Sequence, residues 1–171
     1  MNGVDSLRSA FRASHYWFDQ TTVDVTDEQA TYRPPGRVSS IAQLAAHIAQ
    51  SEDMAIQQLA QGRPTLWESG NWEEQTGVPN ALRLSNEADA QFTSGVSALK
   101  PYADAVFAAT DEYLGGLSDA DLDREIDMSP FGMEAMRLGD VLTLIPLGNT
   151  FAHTGEISAI KGLQGAQGYP F

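Results

Sequence analysis

A chain of 171 residues with 42% hydrophobic content is long enough for a real core and too apolar for a disordered segment. Its formal net charge of −13 argues against a nucleic-acid partner, which needs a basic surface, and against docking on anionic membranes. The absence of cysteine excludes a disulfide scaffold, a zinc ribbon and a thiol nucleophile. No apolar signal core opens the chain and no run of about 18 apolar residues occurs, so a soluble, cytoplasmic protein is expected.

Four helical patterns follow one another, and residues 1–171 read as one domain. The first runs from about Val4 to Thr21, with Val4, Leu7, Phe11 and Phe18 on one face. "TDEQATYRPPGR" holds a short helical turn at Thr26–Glu28 and then breaks at Pro34-Pro35-Gly36. The second helix starts near Ser39 or Ser40, either of which suits a cap. Its stripe is Ile41, Leu44, Ala45, Ile48, Ala55, Ile56 and Leu59, and Gly62 and Pro64 end it. Residues 63–84 are the most irregular part, with Trp67 and Trp72 in a polar loop expected to cover something, such as a substrate. "SNEADAQF" suggests a short capped helix. The third long helix spans roughly Gly95 to Leu114, and an extended piece is expected around Ile126 to Met128. The fourth runs from about Leu138 to Leu163, bent near Pro146, and a glycine-rich tail follows. The pattern predicts an all-α four-helix bundle with a long crossover between the second and third helices.

On a wheel of about 100° per residue, Leu142, Ile145, Ile160 and Leu163 set the apolar face of the fourth helix. Asn149, His153 and Glu156 fall within it at i, i+4, i+7. A buried polar group left unpaired costs roughly 1–3 kcal/mol, so three together imply partners, a cavity or an ion. His15 lies near the stripe of the first helix and His47 on the flank of the second. Glu52 falls near the centre of the second stripe, an expensive place for a carboxylate. The three histidines thus come from three helices. Imidazoles and carboxylates converging between helices are how bundles build metal sites, whereas a lone one is ordinarily a hydrogen-bonded core residue. No phosphate loop, GxSxG elbow or HExxH is present, and nothing in the spacing places a serine beside an imidazole.

"SSIAQLAAHIAQSED" (39–53), "HTGEISAIKGLQGAQGYPF" (153–171) and "DEQATYRPP" resemble motifs of the DinB-like superfamily. The resemblance spans nearly the whole chain, closely in the second and fourth helices and loosely in the first and third. It implies a four-helix bundle, often a homodimer, and a divalent metal such as nickel or zinc held by three histidines. His47 matches the second-helix ligand and His153 the second member of an HxxxH pair. The first member would be position 149, which is Asn149, a poor ligand for such metals. A third ligand is then sought in Glu156 or His15. The relatives also suggest a small-molecule substrate and a low-molecular-weight thiol, in a transferase or hydrolase with Glu156 orienting or deprotonating the nucleophile. Two other readings stand beside that one. The bundle binds small molecules without chemistry, as a stress-related protein with a degenerate metal site. Alternatively its polar residues only fix helix register.

Overall fold

The computed structural model describes residues 2–169. Met1 lies outside them, as do Pro170 and Phe171, which close the glycine-rich tail motif.

Helix α1 (Gly3–Thr22) opens on the Asn2 side chain, which accepts from Asp5 N at 2.7 Å. A short α2 (Asp27–Thr31) is held by a reciprocal cap between Thr26 and Gln29. Helix α3 (Ile41–Asp53) starts at Ser40, whose Oγ accepts from Gln43 N. It runs on through a π-helical segment, Met54–Leu59. Three short helices fill the long crossover: α4 (Leu66–Ser69), α5 (Trp72–Thr76) and α6 (Asn86–Asp89). Helix α7 (Val96–Gly115) carries Pro101 as its sixth residue, so the hydrogen bond that Ser97 O would receive there is missing. The extended piece expected near Ile126 is a two-residue ribbon, β1 (Glu125–Ile126) against β2 (Met136–Arg137), antiparallel. The last long helix is α8 (Leu138–Leu142), a π-helical segment (Thr143–Leu147) and α9 (Gly148–Leu163).

Helix α1 packs against α7 and α9, and α3 packs against the same two, so α1 and α3 lie diagonally across a four-helix bundle. Every residue of α3 except His47 is buried, which makes α3 the central element. Two apolar clusters fill the interior. One gathers Phe18, Ile48, Val106 and Phe107, and the other Phe11, Ile56, Leu114 and Leu142. Between them, one turn from each, lies a polar layer. Glu52, at 0% exposure, accepts from Thr110 Oγ1 at 2.6 Å and from His15 Nε2 at 2.9 and 3.0 Å. The His15 ring also stacks on Phe107, with centroids 3.8 Å apart. Both oxygens of the carboxylate on the stripe of α3 are therefore hydrogen-bonded within the core.

Pro146 has no N–H to give, and Gly148 N reaches back five residues to Thr143 O. That extra residue in the turn shifts the phase of everything after it. Before the segment Leu138, Val141 and Leu142 are buried; after it Thr150, Thr154, Ile157 and Lys161 are. A wheel carried straight through Leu142 and Ile145 places the core one residue too early. Leu163, assigned to the apolar face on that wheel, is 70% exposed. Asn149 and His153 lie half-buried at the rim of the core, and Glu156 is exposed.

The tryptophan loop also has a different role from the expected cover. Asp53, the residue after Glu52, accepts from Leu66 N, Trp67 N and Tyr102 Oη, and so fastens the start of α4 to α3. Trp67 and Trp72 pack on the Tyr102 ring at centroid distances of 4.9 and 5.6 Å. They close the core over α7, and neither lines the clefts beside the histidines.

Candidate functional site

His47 points from the one half-buried position of α3 toward the crossover. Its Nδ1 lies 2.7 Å from Ala81 O. A carbonyl oxygen only accepts, so Nδ1 carries the proton and the uncharged ring keeps its lone pair at Nε2. The carbonyl is itself fixed. Gln50, one turn along α3, accepts from Ala81 N at 2.6 Å and donates to Pro79 O at 3.2 Å. Burial is the main influence on His47 and pushes its pKa below the ordinary 6.5; the Ala81 hydrogen bond opposes this and the neighbouring His153 adds to it. The ring is therefore uncharged at neutral pH.

On α9, His153 faces His47 edge to face, with ring centroids 5.0 Å apart. Its Nδ1 is 2.9 Å from Glu156 Oε2, so the carboxylate holds the Nδ1 proton and orients the ring. That contact is half open to water, Glu156 being 54% exposed, and it steadies the ring more than it stabilises the fold. Asn149, one turn before His153, lines the same cleft as His47 and Ser51. Ser51, one turn after His47, has its Oγ 3.4 Å from His47 Nε2. Spacing alone did not single out this serine, although i and i+4 on a helix are neighbours and the signal was there to be taken.

The pair stands between two clefts. His47, Ser51 and Asn149 line one of about 720 Å³, walled by Met54, Leu82, Phe131, Leu144 and Ile145. Both π-helical segments contribute to it, through Met54 and through Leu144 and Ile145. His153 and Glu156 line the other, about 690 Å³ and more polar, with Arg37, Ser39, Ser85 and Asn86 opposite. Its wall is set by Asp89, which accepts from Ser40 N and Ser40 Oγ and pairs with Arg33, tying α6 to the start of α3.

The family model of the DinB superfamily matches residues 10–146. The chain belongs to the DinB superfamily. A solved structure described as a conserved protein from Enterococcus faecalis is similar to it with a TM-score of 0.81. The two share 21% identity over 95% of this chain and 97% of that one, a likeness of fold. Comparison with curated proteins finds no match. Among the described residues no helix is long and apolar enough to cross a membrane.

A DinB-like fold implies a divalent metal on three imidazoles, and the donors present in this chain do not fit one. Two of the required nitrogens are here, on His47 and His153. The third position is the amide of Asn149, which competes poorly with imidazole for zinc or nickel. His15 is not brought to the pair: it is held by Glu52 on the far side of α3. Glu156 is committed to the Nδ1 edge of His153, opposite the Nε2 edge a metal would use. Among the described residues no three of histidine, aspartate and glutamate gather as metal ligands.

Proposed function

We propose that this DinB-superfamily protein is a small-molecule enzyme of transferase or hydrolase type that works by proton transfer at the His47–His153 pair, with no resident metal. One observation carries the reading: each imidazole has its Nδ1 hydrogen held by a fixed acceptor, at 2.7 Å for His47 and 2.9 Å for His153. Fixing one nitrogen defines the job of the other, and that is how a general base is prepared. His47 Nε2 takes the proton of a nucleophile, either water or a low-molecular-weight thiol bound in the cleft. The same nitrogen returns that proton to the leaving group, while His153, steadied by Glu156, stands edge-on to the His47 ring and holds it in place. The apolar walls beside His47 hold the body of the substrate. A second copy of the chain is the partner we favour. Leu144 and Phe151, exposed at 60% and 42% two turns apart on the last helix, support a contact there.

The test uses chelator-treated protein on a panel of activated esters and thiol-conjugation substrates. General acid–base catalysis is worth about 10²–10⁴ in rate, so His47→Gln should lose at least about a hundredfold, and His153→Gln, which releases the His47 ring, should also lose turnover. Retained turnover in both variants refutes the reading. Loss of turnover on chelation, restored by zinc or nickel, refutes its metal-free part. Ligand binding without turnover on any substrate leaves a non-catalytic binding bundle.

A further inference from the structure

Many helical hydroxyls in this protein turn back onto their own backbone, although Thr110 Oγ1 reaches across to Glu52. Ser14 Oγ donates to Phe11 O at 2.8 Å, Thr22 Oγ1 to Phe18 O at 2.8 Å and Thr150 Oγ1 to Pro146 O at 2.9 Å. Ser51 sits equally deep in a helix and does otherwise. Its hydroxyl is directed at His47 Nε2, 3.4 Å away. That nitrogen is the acceptor because Ala81 O holds the proton on the other side of the ring. Nucleophile, base and orienting carbonyl are thus in sequence, and Gln50 locks the carbonyl in place. The 3.4 Å spacing is the loose geometry such pairs have before a substrate closes on them. Ser51 is 95% covered by protein, yet it opens, together with His47 and Asn149, onto the apolar cleft.

We propose that Ser51 is a covalent nucleophile for esters of apolar acids, with His47 as its base; this rests on the proton-transfer role of His47 argued above. Ser51 Oγ attacks the ester carbonyl carbon while its proton passes to His47 Nε2. The tetrahedral intermediate collapses with cleavage of the carbon–oxygen bond to the alcohol, which leaves with the proton from His47. Water then adds to the acyl-serine, again giving its proton to His47. The bond to Ser51 Oγ breaks, the serine regains its hydrogen and the carboxylic acid departs. A serine in mid-helix has no free backbone N–H beside it to bind the tetrahedral oxygen, because those groups are bonded within the helix. The donor must come from a side chain, and Asn149 is the amide that lines the cleft beside Ser51 and His47. Leu82, Phe131 and Leu144 give the acyl chain its apolar wall.

The experiment is labelling of the full-length folded protein with an alkyl fluorophosphonate, read by intact mass and peptide mapping. Serine displaces fluoride, so one adduct per chain is expected, and mapping it on the unaltered protein does not depend on any variant folding. Ser51→Ala should abolish the adduct and His47→Gln should slow its formation at least a hundredfold. No adduct, an adduct at another residue, or undiminished labelling of His47→Gln overturns the proposal. Turnover of 4-nitrophenyl butyrate separates this idea from the one beneath it. If Ser51→Ala keeps wild-type turnover while His47→Gln loses it, the nucleophile is not Ser51 and the histidine reading stands. If both variants keep it, both readings fall.

Discussion

Replacing Glu52 by alanine removes the hub of the polar layer that separates the two apolar clusters. In the wild type the carboxylate is fully buried and accepts from Thr110 Oγ1 at 2.6 Å and from His15 Nε2 at 2.9 Å. The variant leaves the Thr110 hydroxyl, itself at 0% exposure, and the His15 N–H without a partner. Each stranded donor costs about 1–3 kcal/mol, and breaking a buried pair from one side typically costs about 3–5 kcal/mol. The expected loss is therefore about 3–5 kcal/mol, a large part of the stability of a domain this size. Urea unfolding followed by circular dichroism gives the number as a fall in the midpoint at unchanged slope. The control is the triple replacement Glu52→Leu, His15→Leu, Thr110→Val, which removes the whole layer and leaves nothing stranded. It should fall within about 1 kcal/mol of wild type or exceed it. A Glu52→Ala variant that loses less than about 1 kcal/mol, or a triple variant as unstable as the single one, refutes the account of the layer as a satisfied hydrogen-bond hub.

Asn149→His restores a third imidazole opposite His47 and His153. Elemental analysis after dialysis against nickel or zinc should show stoichiometric metal in the variant and far less in the wild type; equal content in the two proteins contradicts the fit argument. The folded pKa of His47 lies below its ordinary 6.5, so between those two values the unfolded chain binds more protons than the folded one. Stability then rises with pH across that window, and the contribution is level above 6.5. Relative to His47→Gln, which keeps His153 and Glu156 but cannot titrate at 47, the wild type should lose stability as the pH drops from about 7 toward 5; a flat difference sinks the assignment. Asp53→Ala strands Leu66 N, Trp67 N and Tyr102 Oη, at a cost of about 2–5 kcal/mol. Its tryptophan emission should move to the red, and an emission spectrum unchanged from wild type would show that Asp53 does not fasten the crossover.

Much of the architecture is legible in the order of residues because helix period and capping are local properties. Ser40 caps α3, Thr26 with Gln29 caps α2, and the stripe of Ile41, Leu44 and Ile48 is core. The motif around His47 lies within the residues 10–146 that match the superfamily model, and so carries the bundle, whereas the motif around His153 lies beyond that match. The limits of that legibility are specific. A wheel at a constant angle cannot register the extra residue between Thr143 and Gly148, so it sets Asn149, His153 and Glu156 in the core when they stand at its rim. The tryptophans of the crossover read as a cover for a substrate because nothing local reveals that Tyr102 of α7 lies beneath them.

By itself, then, the sequence determined the helices, their caps, the absence of a cysteine nucleophile and the replacement of one expected ligand by Asn149. Which groups meet was decided only by tertiary structure. His15 is as good a ligand as His47 in one dimension; packing gives it to Glu52 and Phe107 and leaves His47 facing His153. The acceptor that fixes the His47 tautomer is a backbone carbonyl 34 residues away, which no side-chain pattern announces. A hydrogen bond to the main chain depends on where a loop is laid down, and that is settled by what Gln50, Asp53 and Asp89 hold in place.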